Sequence, residues 1–262
     1  MRPMQVKPRS KRRSKRSHKP TATSWEPLAR WYDGWVGPGG SRHHRELALP
    51  AVLELLDLRA GESLLDIGAG QGVLAPHASA SGARYTGLDA SPSLIRLARK
   101  RHGAAGRFLV GDARALDKVA ELNGQRFDAA VFLLSIQDMD PLEEVLASAS
   151  RVLEDSGRLV MLMTHPCFRV PRQSGWGWDE ERKLRYRRVD RYLSPLAVPM
   201  KPYPGGRGVS RSFHRPLEAY INGLGSQGLL VECVREIAAP KEAQEIPLFL
   251  GLRARKLALE ED

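Results

Sequence analysis

Three short motifs bring acids and glycines together at spacings that suit a nucleotide. In Leu64-Leu65-Asp66-Ile67-Gly68-Ala69-Gly70-Gln71-Gly72 an apolar run ends in an acid and then in three glycines two residues apart. Glycines there let the backbone turn sharply and approach a ligand with no Cβ in the way. The spacing is G-x-G-x-G, not the dinucleotide G-x-G-x-x-G. An acid just before the first glycine suits a pyrophosphate poorly, but Asp66 can receive the ammonium of an amino-acid moiety. Asp89 follows about twenty residues later, where an acid takes ribose hydroxyls. Gly111-Asp112-Ala113 can offer a carboxylate and a backbone amide to the edge of a base. The chemistry implied is the holding of an adenosine joined to an amino acid, S-adenosylmethionine rather than NAD.

Strands must place these groups, each at its carboxyl end, where open α/β sheets bind ligands. Apolar runs predict strands at 64–67, 84–88, 107–110 and 127–134, the last almost wholly apolar, as a strand buried on both faces is. A fifth is expected at 158–163. Helical spacing of Leu49, Val52, Leu53 and Leu56 predicts a helix over 47–58. Another is expected over 92–101, with Ser91 as cap and Pro92 at the first position, and a third over 142–153. A short helix at 25–36 is placed over the cofactor site. Segments 229–237 and 246–253 form a terminal strand pair.

The set LLDIGAGQG, GLDAS, GDA, FDAAVFLLS and RVLEDSGRLVML resembles the class I S-adenosylmethionine-dependent methyltransferases over about residues 45 to 165. Further stretches, among them Trp31-Tyr32-Asp33, Ser135-Ile136-Gln137-Asp138, the run from His165 to Gly177 and Ser212-Phe213-His214-Arg215-Pro216-Leu217, look like a bacterial methyltransferase type 11 group. The resemblance implies an α/β fold with a doubly wound, mostly parallel seven-stranded sheet and one antiparallel strand supplied by the terminal pair. It implies cofactor contacts from Asp66, Gly68, Ala69, Gly70, Asp89, Ala90, Asp112, Ala113, Leu134 and Tyr32. It implies a methyltransferase, with a small-molecule acceptor as the preferred reading.

The domain plan that follows is a basic arm over 1–22, a cofactor-binding core over 45–163, an insertion over 164–215 and a C-terminal helix and strand pair over 216–262. Fifty residues with six prolines are too many for an ordinary connection, so the insertion is expected to be a lid or substrate module. All five tryptophans lie in it or in the N-terminal segment. They suit either an apolar pocket or a second small core. The insertion's arginines at 169, 172, 187, 188 and 191 suit an anionic acceptor; pairing with Asp179, Glu180, Glu181 and Asp190 explains them equally well.

If the acceptor is a hydroxyl or an ammonium, a base must take its proton. His165, after the fifth strand, and His214, before the last helix, are the candidates, each with a structural role as the alternative. Asp138 follows the fourth strand, where the resemblance puts acceptor contacts, though an exposed turn acid is an equally simple reading. Ser-Ile-Gln-Asp in that place is not the Asn/Asp-Pro-Pro-Tyr/Phe of exocyclic-amine nucleic-acid enzymes, Cys167 comes one strand too late for a cytosine-5 nucleophile, and no metal-ligand spacing occurs.

Net charge is +11, but residues 1–20 hold nine of the 41 basic residues and none of the 30 acids, so the rest of the chain carries only +2. The run Lys7–Arg16 within it repels itself and lacks apolar residues. It is read as a disordered arm that grips RNA or ribosomal phosphates, acts as a localisation signal, or is simply a solvated tail. The RNA alternative is a methyltransferase of ribosomal or transfer RNA. No apolar run approaches the roughly 20 residues of a membrane span, and two cysteines make no disulfide framework; a cytoplasmic protein that does not enter membranes is expected, its oligomeric state open.

Overall fold

The computed structural model describes residues 25–200, 209–238 and 245–258. The arm expected over 1–22 lies outside them. Seven strands form one sheet: β1 (Ser63–Ile67), β2 (Arg84–Asp89), β3 (Arg107–Val110), β4 (Phe127–Leu133) and β5 (Leu153–Thr164) run parallel, and two more follow the insertion. The insertion builds its own antiparallel pairs, β6 (Ser174–Asp179) with β7 (Leu184–Val189) and β8 (Leu196–Met200) with β9 (Ser210–His214). The chain then returns to the main sheet through β10 (Leu229–Ala238) and β11 (Pro247–Lys256), with β11 antiparallel to β5. The order is β10-β11-β5-β4-β1-β2-β3. This is the expected mostly parallel, doubly wound sheet. The fifth strand is longer than its apolar run predicts, because residues 153–157 join the edge of the pairing before the apolar part begins.

Among the described residues six α-helices surround the sheet: α1 (Ala29–Val36), α2 (Leu49–Leu56), α3 (Ala75–Ala80), α4 (Pro92–His102), α5 (Leu142–Arg151) and α6 (Leu217–Gly225). Successive residues of β1 serve opposite layers, as the period of two requires. Leu65 and Ile67 pack on the face that holds Val145, Leu146, Tyr220 and Leu224. Leu64 packs on the other, with Val52, Leu56, Leu74 and Ala98. Burial on both sides explains why β1 and β4 read as continuous apolar runs.

The start of α4 follows its sequence signature. Ser91 Oγ accepts the Leu94 amide at 3.2 Å and Pro92 takes the first turn. Glu26 caps the same end from outside, accepting from the Ser93 amide at 3.0 Å and its hydroxyl at 2.7 Å. An acid at a helix N-terminus is favoured by the helix dipole. Asp33 pairs with Arg101 and Gln71 donates to the Gly37 carbonyl. The N-terminal segment is thus tied down along its length across the carboxyl ends of the strands.

Gly72 closes the glycine turn at φ +83°, and a Cβ there would stand 2.7 Å from Phe108 Cε1. Gly72→Ala should cost about 1–2 kcal/mol through strain and overpacking. Urea unfolding checks this; an unchanged midpoint would mean that Phe108 moves aside freely.

Candidate functional site

The sheet order reverses between β1 and β4, which opens a crevice at their carboxyl ends. A cavity partly open to solvent lies in that crevice, with about 730 Å³ of space when the open solvent at its mouth is included. The glycine turn forms its floor. The amides of Gly68 and Ala69 both donate to the Leu88 carbonyl, at 2.7 and 2.9 Å, pinning the turn to the end of β2. Gly70 sits at φ +56°, and a Cβ on it would point at the Tyr32 ring 3.6 Å away, into the space between turn and strap.

Of the ten residues expected to hold the cofactor, Tyr32, Gly68, Gly70, Asp89, Ala90, Asp112, Ala113 and Leu134 line this cavity. Asp66 and Ala69 are not among its lining. Asp89 accepts the amides of Gly70 at 2.9 Å and Ser91 at 2.8 Å. Burial raises its pKa against these two bonds. Asp112 is held below its ordinary value by Arg114, whose guanidinium grips both its oxygens. Burial pushes the Tyr32 hydroxyl up, with the charges of Asp89 and Asp138 adding to it. Asp66 is almost fully buried and accepts from the Tyr85 hydroxyl at 2.7 Å. Its other oxygen has no hydrogen-bond partner among the described residues. An unpaired buried carboxylate oxygen is costly; burial accordingly pushes Asp66 up to about 7. These features fit S-adenosylmethionine: a bare backbone turn, a carboxylate at each of two strand ends, and an acid near the turn with a lone pair to give.

Asp138, in the turn after β4, also lines the cavity. It is no exposed turn acid. Its carboxylate accepts the Trp25 indole N–H at 3.1 Å and the Ser212 hydroxyl, while burial pushes its pKa up to about 7. Trp25, Asp138 and Ser212 therefore link the strap, the core and the insertion at one carboxylate.

The two histidines stand elsewhere. The His165 ring accepts the Cys167 amide at Nδ1 and faces Glu236 across 2.7 Å at Nε2, so both nitrogens are engaged. His214 Nε2 donates to the Tyr192 carbonyl at 2.6 Å. Neither lines the cavity. His165 follows the end of β5 and His214 ends β9, each held by the bonds just given. The aromatics divide too. Trp25 and Tyr32 form the cavity wall with rings 5.2 Å apart. Trp176 lies instead among the guanidinium groups of Arg169, Arg185 and Arg187, 4.2 to 5.9 Å from its ring, a cation–π arrangement. Arg188 pairs with Asp190.

Sequence reasoning missed Arg114, Ser135, Met139 and Asp140 as cavity residues and left Trp25 open between a pocket wall and a second small core. For Arg114 and Ser135 adjacency to a strand end was a usable signal; Trp25 offered none beyond its aromatic company.

With Asp66 and Asp138 both held near 7, the folded chain keeps protons that the unfolded chain has lost. Their contribution to stability should therefore fall as pH rises from about 4 to about 7, by up to about 1.4 kcal/mol per pH unit for each group, and level off above, while buried His44, pushed down to about 4, contributes the opposite trend. Asp66→Asn should remove its share of the fall. Urea titrations of wild type and variant at pH 5 and pH 8 check it, and the same pH dependence in both would refute the protonated assignment of Asp66.

Comparison with known proteins agrees with this architecture. The family model of a methyltransferase domain matches residues 65–161. A demethylmenaquinone methyltransferase of Tropheryma whipplei is 33% identical over 121 residues, 44% of this chain and 48% of its own. A ubiquinone biosynthesis O-methyltransferase of Xanthomonas oryzae pv. oryzae is 32% identical over 136 residues, 50% of this chain and 55% of its own. The chain spans about half the length of the curated relatives it matches. The crystal structure of an S-adenosylmethionine-dependent methyltransferase from Mesorhizobium loti superposes with a TM-score of 0.63 at 28% identity, covering 84% of this chain and all of the other. Residues 65–161 thus match the methyltransferase-domain family, and the sheet that carries them is the fold of the Mesorhizobium loti S-adenosylmethionine-dependent methyltransferase.

Proposed function

We propose that the chain transfers a methyl group from S-adenosylmethionine to an oxygen or nitrogen of a small-molecule acceptor, with Asp138 as the base. The observation that carries this is a carboxyl pushed up to about 7 in the wall of the same cavity as the glycine turn and Asp89. The cofactor supplies an electrophilic methyl on a sulfonium when bound. Asp89 and Asp112 would hold its ribose and adenine, and Asp66 its ammonium. Tyr32 and Trp25 would cover the cavity and exclude water, keeping donor and acceptor aligned for in-line displacement. Asp138, poised near neutral pH, would take the acceptor's proton, with Trp25 and Ser212 fixing its carboxylate. The names of the relatives, which concern quinones, favour a small acceptor. The 164–215 segment acts in this reading as a substrate module, since Ser212 reaches the base from it.

Among the described residues no helix is long and apolar enough to cross a membrane. A cytoplasmic setting accords with Cys167 and Cys233, which are both free. The RNA alternative rests on residues 1–20, outside the described residues.

The test is incubation with methyl-labelled S-adenosylmethionine and either a small-metabolite extract or total RNA, for the full chain and for one lacking residues 1–20. Label in the metabolite fraction, indifferent to the deletion, is the expected result. Label in RNA that depends on residues 1–20 would replace this reading with the other.

A further inference from the structure

The charges around the cavity do not balance among themselves. Of the carboxylates in its lining, Asp112 is paired with Arg114 and Asp140 with Arg215. Asp89 and Asp138 line it too, and among the described residues neither has a cationic partner. Asp89 accepts two backbone amides, and Asp138 accepts an indole and a hydroxyl. Asp138 keeps a proton up to about pH 7, whereas the two amide bonds to Asp89 favour its charged form. Asp89 is buried, and a buried charge is costly unless it is paired. The balancing cation therefore has to come with the ligand.

Two rings face the same space. Trp25 and Tyr32 line the cavity with centroids 5.2 Å apart and planes tilted by 54°, so their faces meet as a corner rather than as one flat wall. Tyr32 leans over the glycine turn: a Cβ on Gly70 would stand 3.6 Å from its Cε1 and 3.8 Å from its hydroxyl, and the Gly70 amide is one of the two that Asp89 accepts. Asp89 is also foremost among the charges that raise the Tyr32 hydroxyl, ahead of Asp138 and Asp66. A field that opposes a phenolate favours a cation in its place. The ring faces act in the same sense, since each carries the negative lobe of its quadrupole and attracts a cation within about 6 Å, indole most strongly.

We infer that Tyr32 and Trp25 form an aromatic corner that recognises the sulfonium of the methyl donor, so that the chain reads the charge of its cofactor as well as its shape; this rests on the methyl-transfer reading. The donor's other cation, its ammonium, has N–H groups to give to a carboxylate. A sulfonium has none, and ring faces with a carboxylate close by are the groups suited to hold it. Once the methyl group has left, the sulfur of the product is a neutral thioether, and the attraction of the corner goes with the charge. Exchange of spent product for fresh donor is favoured accordingly.

Calorimetry with S-adenosylmethionine and S-adenosylhomocysteine isolates this contribution, because the two ligands share adenosine and amino acid and differ in the charged methyl sulfur. The readout is the ratio of the two affinities. Tyr32→Leu should shift that ratio against S-adenosylmethionine by about tenfold, as expected for a desolvated cation–π contact, while Tyr32→Phe, which keeps the ring, should leave it within about twofold of wild type. Trp25→Leu should shift it in the same direction and decides the matter if Tyr32→Leu does not fold. Retained binding of S-adenosylhomocysteine is the check of folding in each variant. Equal loss of both ligands in Tyr32→Leu and Trp25→Leu would overturn the aromatic corner alone and leave the two rings as a cover that excludes water. A shift in Tyr32→Phe as large as that in Tyr32→Leu would also overturn it, by assigning recognition to the hydroxyl. Failure of the wild-type chain to bind either ligand would overturn methyl transfer, and the corner's role with it.

Discussion

Replacing Asp138 by asparagine should lower kcat by about 10²–10⁴-fold, the usual worth of a positioned general base, while S-adenosylmethionine affinity changes little. The substitution keeps the shape of the side chain and its bonds from Trp25 and Ser212, so the cavity wall survives. What it removes is basicity. The sign of the pH dependence follows from the raised pKa: with Asp138 at about 7, the carboxylate needed to take a proton is scarce at pH 5 and prevalent at pH 8. Wild-type kcat should rise through about pH 7, and the asparagine variant should lack that limb. Asp66, held near the same value, is not among the cavity lining and would shape cofactor affinity instead, so kcat measured at saturating cofactor separates the two. A full wild-type rate in the variant, with the same pH limb, would take proton removal away from Asp138.

Asp89→Ala should weaken S-adenosylmethionine by about 10²–10³-fold, read by calorimetry. Two losses combine. The carboxylate at the end of β2 would accept the ribose hydroxyls, and hydrogen bonds to a charged group contribute about 1.5–3 kcal/mol. The same oxygens hold the amides of Gly70 and Ser91, so the alanine leaves two buried donors unpaired and loosens the glycine turn. Asp89→Asn, which retains one accepting oxygen, should fall between alanine and wild type. Unchanged affinity in the alanine variant would remove Asp89 from the site.

Much of this was legible in the chain because local rules carried it. The order of apolar runs gave five parallel strands, since a strand buried on both faces has no polar alternation to hide it. Ser91-Pro92 marked the start of α4 for a reason internal to that helix end. Asp66, Asp89 and Asp112 were legible as candidates because a ligand at the carboxyl ends of strands requires groups placed within a residue or two of those ends. The insertion was legible only as an excess of length and proline. Its pairing into β6–β7 and β8–β9 brings Ser212 to Asp138 across 74 positions of sequence, and nothing near either residue announces the partner.

The histidines show the limit most clearly. His165 and Asp138 both follow strands by a short interval, and by residue type the histidine is the better base at neutral pH. Folding reverses that order. Burial raises Asp138 to where a base is useful, while His165 spends both ring nitrogens on the Cys167 amide and Glu236. The sequence alone determined the fold class, the cofactor turn and the acids that frame it, because strand burial, backbone freedom and reach are properties of a few neighbouring residues. Only the tertiary structure decided which acids have their pKa raised by burial, which aromatics wall the cavity and which polar atoms are left unpaired, because desolvation and hydrogen-bond satisfaction depend on groups that meet from distant parts of the chain.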